Sequence, residues 1–290
     1  AVEATYPWAF FADTFDDLEG EWALGHPLKN RLIAESRNKN DTVDSKVLAD
    51  LPRTNFLARA WIAPKEIREA RELLRYRCSL ARIQTSLKNR VRVLVAKAGR
   101  TVTAADIFGA RAIRELAGLD LGAGRNLIVK GLLEVARSLK EQIERAEEEL
   151  QARVELSAEA RLVDSIRGFG PLSALTVVSE IGEMGRFSRA GKLVSYAGLA
   201  PTNRGSAGSV RHGSLTKQGS PWLRWILVEA TPHAVEGYPQ LAALYRRVTH
   251  NQGGRKNAGR MAVARQLWVS IYHMLKRREA FKPERIGSQG

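Results

Sequence analysis

Two long amphipathic stretches, separated by a short glycine- and alanine-rich segment, constrain the fold of this chain most. The first runs from Pro64 to Ala98 and the second from Asn126 to about Glu155, each with apolar residues at helical spacing. The charge-rich tract Lys140-Glu-Gln-Ile-Glu-Arg-Ala-Glu-Glu-Glu in the second is typical of an exposed helix or a coiled coil. Two such helices joined by Gly99–Gly124 predict an antiparallel arm that meets a partner. A plain helical hairpin packed on its own domain explains the pattern equally well.

The residues before the arm predict an α/β layer. Ala1-Val2-Glu3 suits the end of a buried strand, Pro7 the first turn of a helix, and Trp22-Ala-Leu-Gly a second strand. A second helix begins near Asp41 and is stopped by Pro52. The order strand, helix, strand, helix in so short a segment indicates an α/β fold, followed by mainly α structure.

The charge balance points to a class of partner. The chain has 46 Lys and Arg against 31 Asp and Glu, and this net charge of +15 favours nucleic acid over a merely basic soluble protein. From Pro201 to Gly290, 15 Lys and Arg stand against four Glu, which concentrates +11 of charge there for phosphate binding. Cys78 is the single cysteine, and no apolar run reaches the length that a bilayer requires. We expect a cytoplasmic, nucleoid-associated protein with no membrane partner.

Carboxylates are frequent in the first fifty residues, and two of them stand three residues apart at the start of a predicted helix. Asp41 and Asp44 share one face there, so they can jointly hold a hard divalent cation. An N-cap Asp with an acidic residue three positions later is equally typical of a capped helix start. The spacing leaves both interpretations open.

Val163 to Val178 contains two apolar helices joined by a Gly-x-Gly turn. This pattern resembles a helix-hairpin-helix, in which Arg167, Gly168 and Gly170 would contact a phosphate without reading any base. An ordinary tight turn between helices is the alternative.

The segment from Tyr196 to Gly219 interleaves small residues, hydroxyls and cations, as a flexible loop at a phosphodiester requires. Ser206, Ser209 and Ser214 are candidate nucleophiles that neighbouring cations or a metal ion would activate, and chain position does not choose among them. A glycine-rich phosphate clamp is the alternative. The rest of the C-terminal part is predicted to be helical, with core positions for Trp222, Trp225 and Trp268.

Several of these motifs, in this order, resemble one family. The motifs are Val2-Glu3-Ala-Thr5, Arg37-Asn-Lys-Asn-Asp41-Thr-Val-Asp44-Ser-Lys-Val-Leu-Ala49, the Gly-x-Gly turn, Ser195-Tyr-Ala-Gly-Leu-Ala-Pro201 and Gly219-Ser-Pro-Trp-Leu-Arg224. Over nearly the whole chain they resemble the DEDD transposases of bacterial insertion sequences, the insertion sequence one-hundred-ten family.

The resemblance implies a partial RNase-H-like, RuvC-type domain at 1–60, a coiled-coil arm at 61–156 and a helical domain with a helix-hairpin-helix and a serine loop at 157–290. It implies that Glu3, Asp41 and Asp44 are Mg²⁺ ligands and that Ser206 is the nucleophile. The expected partners are donor and target DNA, a guide RNA and further copies of the chain in a dimer or tetramer. The expected nucleic-acid contacts are Arg167, Gly168, Gly170, Arg204, Arg211, Lys217 and Arg224.

The family's first aspartate precedes its glutamate by some tens of residues, so we expect this sequence to be a fragment or a decayed copy that lacks one ligand. The favoured function is DNA recombination for transposition. The alternatives are a Holliday-junction-type nuclease that uses metal and water, with Ser206 as a phosphate contact only, and a catalytically dead remnant that binds DNA or RNA.

Overall fold

The computed structural model describes residues 1–15, 22–33, 41–206, 209–215 and 218–286. Within these ranges, side chains are described except at 31–33, 41–44, 156, 201–206 and 209–215. Contacts between residues divide the chain into two compact units, Ala1–Arg68 and Glu69–Gly290. The predicted domain bounds at 60/61 and 156/157 stay predictions.

Helices dominate the described residues, and two small sheets accompany them. The strands are β1 (Val2–Glu3), β2 (Leu24–Gly25), β3 (Pro201–Ser206) and β4 (Ser209–Leu215). The helices are α1 (Trp8–Phe15), α2 (Pro27–Ile33), α3 (Asp41–Arg53), α4 (Lys65–Lys97), α5 (Ala110–Ala117), α6 (Ala123–Leu156), α7 (Ala158–Asp164), α8 (Pro171–Ile181), α9 (Ala190–Tyr196), α10 (Pro221–Gly237), α11 (Pro239–Asn251) and α12 (Lys256–Arg277), with 3-10 turns at Met184–Arg186 and Pro283–Arg285.

The first unit contains the predicted order of strand, helix, strand and helix, with α2 as an additional helix. β1 and β2 pair in parallel, so that Val2 lies opposite Leu24 and Glu3 opposite Gly25. A Cβ atom at Gly25 would lie 2.7 Å from the Asn30 amide nitrogen, so a side chain there would displace Asn30 of α2. The sheet has two strands of two residues each, and an RNase-H-like fold stays a prediction.

Arg68 is the last residue of the first unit, and its side chain contacts other residues of that unit. Its side chain is almost completely buried, donates to the carbonyl oxygen of Ala63 at 2.6 Å, and forms an ion pair with Asp13. Its guanidinium also lies over the ring of Trp8, 5.7 Å from the centroid. A buried cation with this set of partners fixes α1 against the start of α4.

α4 and α6 form the antiparallel two-helix arm that the sequence predicts. Leu74 near the start of α4 packs with Leu150 near the end of α6, and Arg77 donates to Glu147 at 2.8 Å between the same ends. At the opposite end, Val95 and Val129 share a small core with α5. α5 is a helix that the glycine- and alanine-rich composition of its segment did not predict. Coiled-coil packing of the arm stays a prediction.

The main core of the second unit lies where α8, α9, α10 and α12 meet. Trp268 on α12 is fully buried, and its indole N–H donates to the carbonyl oxygen of Leu193 at 2.7 Å, which confirms its predicted core position. The same prediction is wrong for Trp225, which is 44% exposed because it lies on the outer face of α10. Trp225 there packs edge-to-face against Trp222.

Among the helices in the described ranges, none is both long enough and apolar enough to span a membrane.

Candidate nucleic-acid interface

The segment predicted as a flexible loop is a β-hairpin, so the expectation of helices and loops alone in this region is wrong. β3 and β4 pair antiparallel, with Arg204 opposite Arg211 and Ser206 opposite Ser209. The register leaves two residues between the last paired positions, a connection length typical of β-hairpins. Interstrand backbone hydrogen bonds thus order a segment whose small and charged residues gave no strand periodicity.

The serine predicted as nucleophile therefore occupies the tip of this hairpin. Ser206 is the last residue of β3, and Ser209 is the first of β4. Ser214 lies on β4, five residues further along the strand from Ser209 and close to the base of the hairpin. The structure thus separates three serines that the sequence alone left equivalent.

The two ends of this hairpin segment meet at one point. The Ser220 N–H donates to the carbonyl oxygen of Tyr196, the last residue of α9, at 3.1 Å. Gly219 has a φ of +136°, and a Cβ atom there would lie 2.1 Å from that same carbonyl oxygen. Glycine is required at 219 both for its conformation and for the close approach. The Ser220 hydroxyl then accepts from Leu223 N–H at 3.4 Å and caps α10.

A buried carboxylate joins this point to the arm. The Glu180 side chain is only 5% exposed, and its Oε1 accepts from Arg75 at 2.8 Å while its Oε2 accepts from the Ser220 hydroxyl at 3.0 Å. Arg75 belongs to α4, so one side chain of α8 connects the arm with the first turn of α10. Both carboxylate oxygens have partners, as a buried charge requires.

Backbone contacts add to the same connection. Arg71 donates to the carbonyl oxygens of Ser179 at 2.8 Å and of Glu180 at 3.0 Å. The Tyr196 hydroxyl also donates to the Glu180 carbonyl oxygen, at 3.2 Å. Burial lowers the pKa of the Arg71 guanidinium, and the nearby Glu180 carboxylate acts in the opposite direction. The arm base, α8, α9 and the hairpin ends thus form one hydrogen-bonded framework.

The Gly-x-Gly turn joins α7 and α8 as the sequence predicts. Gly168 has a φ of +105°, and a Cβ atom there would lie 2.5 Å from the carbonyl oxygen of Ala230 on α10. Gly170 precedes α8, and its N–H donates to the Ser173 hydroxyl oxygen at 2.8 Å. The exposed Arg167 donates its backbone N–H to the Tyr238 hydroxyl at 3.0 Å. Gly168 thus has a packing role, and phosphate binding by this turn stays a prediction.

The three predicted carboxylate ligands all belong to the first unit. Glu3 lies on β1 and is half-buried, while Asp41 and Asp44 occupy the first turn of α3. The side chains of the two aspartates are outside the described part of the structure. Among the residues whose placement is described, no group of three His, Cys, Asp or Glu is arranged to hold a metal ion. Metal binding by these carboxylates stays a prediction.

Of the remaining predicted contacts, Arg224 lies half-buried in the first turn of α10, next to the hairpin ends, and Lys217 lies outside the described residues. Sequence reasoning missed Glu180 and its partners Arg75 and Ser220. The available signal was a single acidic residue inside the otherwise apolar helix α8. A lone charge in such a helix indicates a buried ion pair.

Residues 160–246 match the family model described as the transposase IS116/IS110/IS902 family. The match runs from α7 through the hairpin into α11, and so covers Glu180, Tyr196 and Ser220 of this framework but not Arg71 and Arg75. The family predicted from the motifs is confirmed for this part of the chain, which carries a domain of the IS116/IS110/IS902 transposase family.

Curated relatives agree with this assignment. The chain is 26% identical to a probable family 20 transposase of Pseudomonas aeruginosa, over 71% of this chain and 63% of that protein. It is 26% identical to the transposase for insertion sequence element IS1111A of Coxiella burnetii, over 84% of this chain and 69% of that protein. It is also 26% identical to the putative transposase y4qE of Sinorhizobium fredii, over 67% of this chain and 47% of that protein. The chain thus spans about half to two thirds of the length of these relatives.

Proposed function

We propose that this chain cuts and rejoins DNA to move an insertion sequence, with Ser206 as the nucleophile. The observation that carries the proposal is the hairpin tip, where Ser206 lies opposite Ser209 inside the part of the chain that matches the transposase family. A serine at the tip of a hairpin would be open to a large substrate such as DNA. The relatives named as transposases support DNA as that substrate.

The chemistry follows from the residue types around the tip. The Ser206 hydroxyl would attack the scissile phosphorus, form a phosphoserine ester with one DNA end and release the other end as a free hydroxyl. Arg204 and Arg211 lie opposite each other two register steps from the tip, about 7 Å along the strands. Together with Lys217 they would stabilise the negative charge that develops on the phosphate.

The proposal includes Mg²⁺ bound by Glu3, Asp41 and Asp44. Carboxylate oxygens are the ligands that Mg²⁺ prefers, and Asp41 and Asp44 stand three residues apart in the first turn of α3, so the type of donor suits the ion. Bound Mg²⁺ would supply charge that polarises a phosphate oxygen. A guide RNA that selects donor and target DNA by base pairing, and assembly into a dimer or tetramer, are further parts of the proposal.

The test is a covalent adduct. The full product of the gene is incubated with a nicked suicide DNA substrate. A phosphoserine should then be found on the peptide that contains Ser206. Ser206→Ala should abolish the adduct and leave DNA affinity within about twofold, because one hydroxyl adds little to a +11 surface. Ser209→Ala, the residue opposite in the register, is the matched control and should retain the adduct.

The carboxylates give a second readout in the same assay. Asp41→Asn or Asp44→Asn should stop cleavage while circular dichroism stays unchanged, because a metal ligand is lost and the fold is not. Cleavage that persists in Ser206→Ala would favour the nuclease that uses water, and an adduct on another serine would overturn the assignment of Ser206.

A further inference from the structure

The end of the α11–α12 pair carries a concentration of positive charge that none of the predicted contacts includes. Between Gly237 and Arg278 the chain has no Asp or Glu. Five cations of this stretch lie at one end of the two helices, and all five side chains are exposed. We call them the cation patch: Arg246, Arg247, Arg255, Lys256 and Arg260. Among the ion pairs of the described residues, none involves a member of this patch.

The fold brings together the two helix ends that carry these charges. Gly259 on α12 packs against α11, and a Cβ atom there would lie 2.8 Å from the ring of Tyr245 and 2.3 Å from the hydroxyl of Thr249. This close approach places the last turns of α11 beside the first turns of α12. The connection contains Gly253 and Gly254, both with positive φ, and is therefore short and tightly turned.

The two helices that carry the cation patch are packed into the main hydrophobic core. α12 continues from the patch to Trp268 and Ile271, which are fully buried. The two helices belong to the same hydrophobic core through Leu241 of α11. The backbone that carries the patch is therefore held in place before any partner arrives, so binding has to order only the side chains.

The positions of these charges are unfavourable in the protein alone. Arg255 and Lys256 lie at the N-terminal end of α12, where the helix dipole disfavours cations. Like charges on both helices repel one another, and no carboxylate within this stretch compensates them. A polyanion that binds here would relieve both effects. These charges thus lower the stability of the protein alone, and an anionic partner would offset that loss.

We propose that the cation patch binds the phosphodiester backbone of duplex DNA, at a place separate from the hairpin tip. The inference rests on the proposed function for its substrate, and it adds a surface that the family match, which ends at residue 246, mostly does not cover. A duplex carries one negative charge per about 1.7 Å of its axis, so it offers several phosphates to five flexible cations at one end of a helix pair. Tyr245, the aromatic residue next to the patch, is half-buried and packs against Gly259, so it is not an open platform on which unpaired bases would stack.

The test neutralises the patch without removing its side-chain volume. The variant R246Q/R247Q/R255Q/K256Q/R260Q is compared with a control that loses the same number of exposed cations from the arm and its end. The control is R90Q/K97Q/R100Q/R114Q/K130Q, whose positions are all exposed and form no ion pair with a carboxylate in the described structure. Affinity for a 30-base-pair duplex DNA of arbitrary sequence is measured from about 50 to 200 mM salt.

The patch variant should reduce the slope of log affinity against log salt by about 4.5, because five phosphate contacts are lost and each contributes about 0.9. Its affinity at low salt should fall at least a hundredfold, while the control should change much less. The double variant R255Q/K256Q, which perturbs folding least, should reduce the slope by about 2. Circular dichroism checks that all variants are folded.

Three outcomes would decide against the inference in different ways. Equal losses in the patch variant and the control would show that total charge and not the patch governs binding. A patch variant that loses affinity for duplex RNA but keeps it for duplex DNA would overturn the choice of partner. If the unaltered chain binds neither duplex in a salt-dependent manner, the proposed function itself fails, and this result is distinguishable from the other two.

Discussion

Replacing Glu180 by leucine tests whether one buried carboxylate holds the arm to the base of the hairpin. The carboxylate is 5% exposed and has two partners, the Arg75 guanidinium at 2.8 Å and the Ser220 hydroxyl at 3.0 Å. Leucine is similar in size but accepts no hydrogen bond, so the substitution leaves both donors without their partner. Arg75 is 45% exposed and regains water, whereas the Ser220 hydroxyl is less accessible.

The expected loss of stability follows from these two contacts. A hydrogen bond to a charged group contributes about 1.5–3 kcal/mol, and the exposure of Arg75 puts this bond at the lower end of that range. The hydroxyl of Ser220, left without an acceptor, costs about 1 kcal/mol more. We therefore expect Glu180→Leu to lower the free energy of unfolding by about 2.5 kcal/mol, which is less than the 3–5 kcal/mol typical of breaking a fully buried pair. Glu180→Gln keeps one acceptor oxygen and should cost about 1 kcal/mol.

The assay is urea unfolding followed by circular dichroism. Glu148→Leu is the matched control, because Glu148 is exposed on α6 and forms no ion pair in the described part of the chain. It should shift stability by less than about 0.5 kcal/mol. In a double-mutant cycle, Glu180→Leu and Arg75→Met should show a coupling energy of about 1 kcal/mol or more. Equal midpoints for Glu180→Leu and Glu148→Leu, or no coupling with Arg75, would refute the reasoning.

Two further substitutions test other parts of the second unit. Gly168→Ala should lower the free energy of unfolding by more than about 2 kcal/mol, because its Cβ would meet the Ala230 carbonyl oxygen at 2.5 Å and φ is positive. Gly170→Ala, where the space is open, is the control and should cost less than about 1 kcal/mol. Equal midpoints in thermal unfolding would contradict the packing role of Gly168. A second test replaces two exposed apolar residues of the arm, Leu127 (74% exposed) and Val135 (50% exposed), by Asp. The double variant should self-associate more weakly in sedimentation and should unfold like the unaltered chain. An unchanged oligomer would show that the arm has another purpose.

The long arm could be predicted from sequence because its signal is local. The stretch from Pro64 to Ala98 folds as Lys65–Lys97, and the stretch from Asn126 to about Glu155 as Ala123–Leu156. Many turns with one apolar stripe specify a helix whatever surrounds it. The eight residues of α5 lie between glycines and carry too few turns for such a pattern.

The framework around Glu180 could not be predicted, because its partners are distant in sequence. Arg75 precedes Glu180 by 105 residues and Ser220 follows it by 40. Pairing of this kind depends on the packing of three helices, which no local spacing encodes. The hairpin was missed for a related reason, since its order comes from hydrogen bonds between strands and its side chains follow no apolar alternation.

The closed base at Tyr196 and Ser220 also bears on how such proteins change over time. The Ser220 N–H donates to the Tyr196 carbonyl oxygen at 3.1 Å, so the two ends of the intervening segment are held together at its base. Doubling the length of a flexible insert between fixed ends costs only about 0.6 kcal/mol. Insertions and deletions between these two anchors therefore leave the helical core almost untouched. The length of the hairpin should therefore tolerate change without changing the helices that carry it.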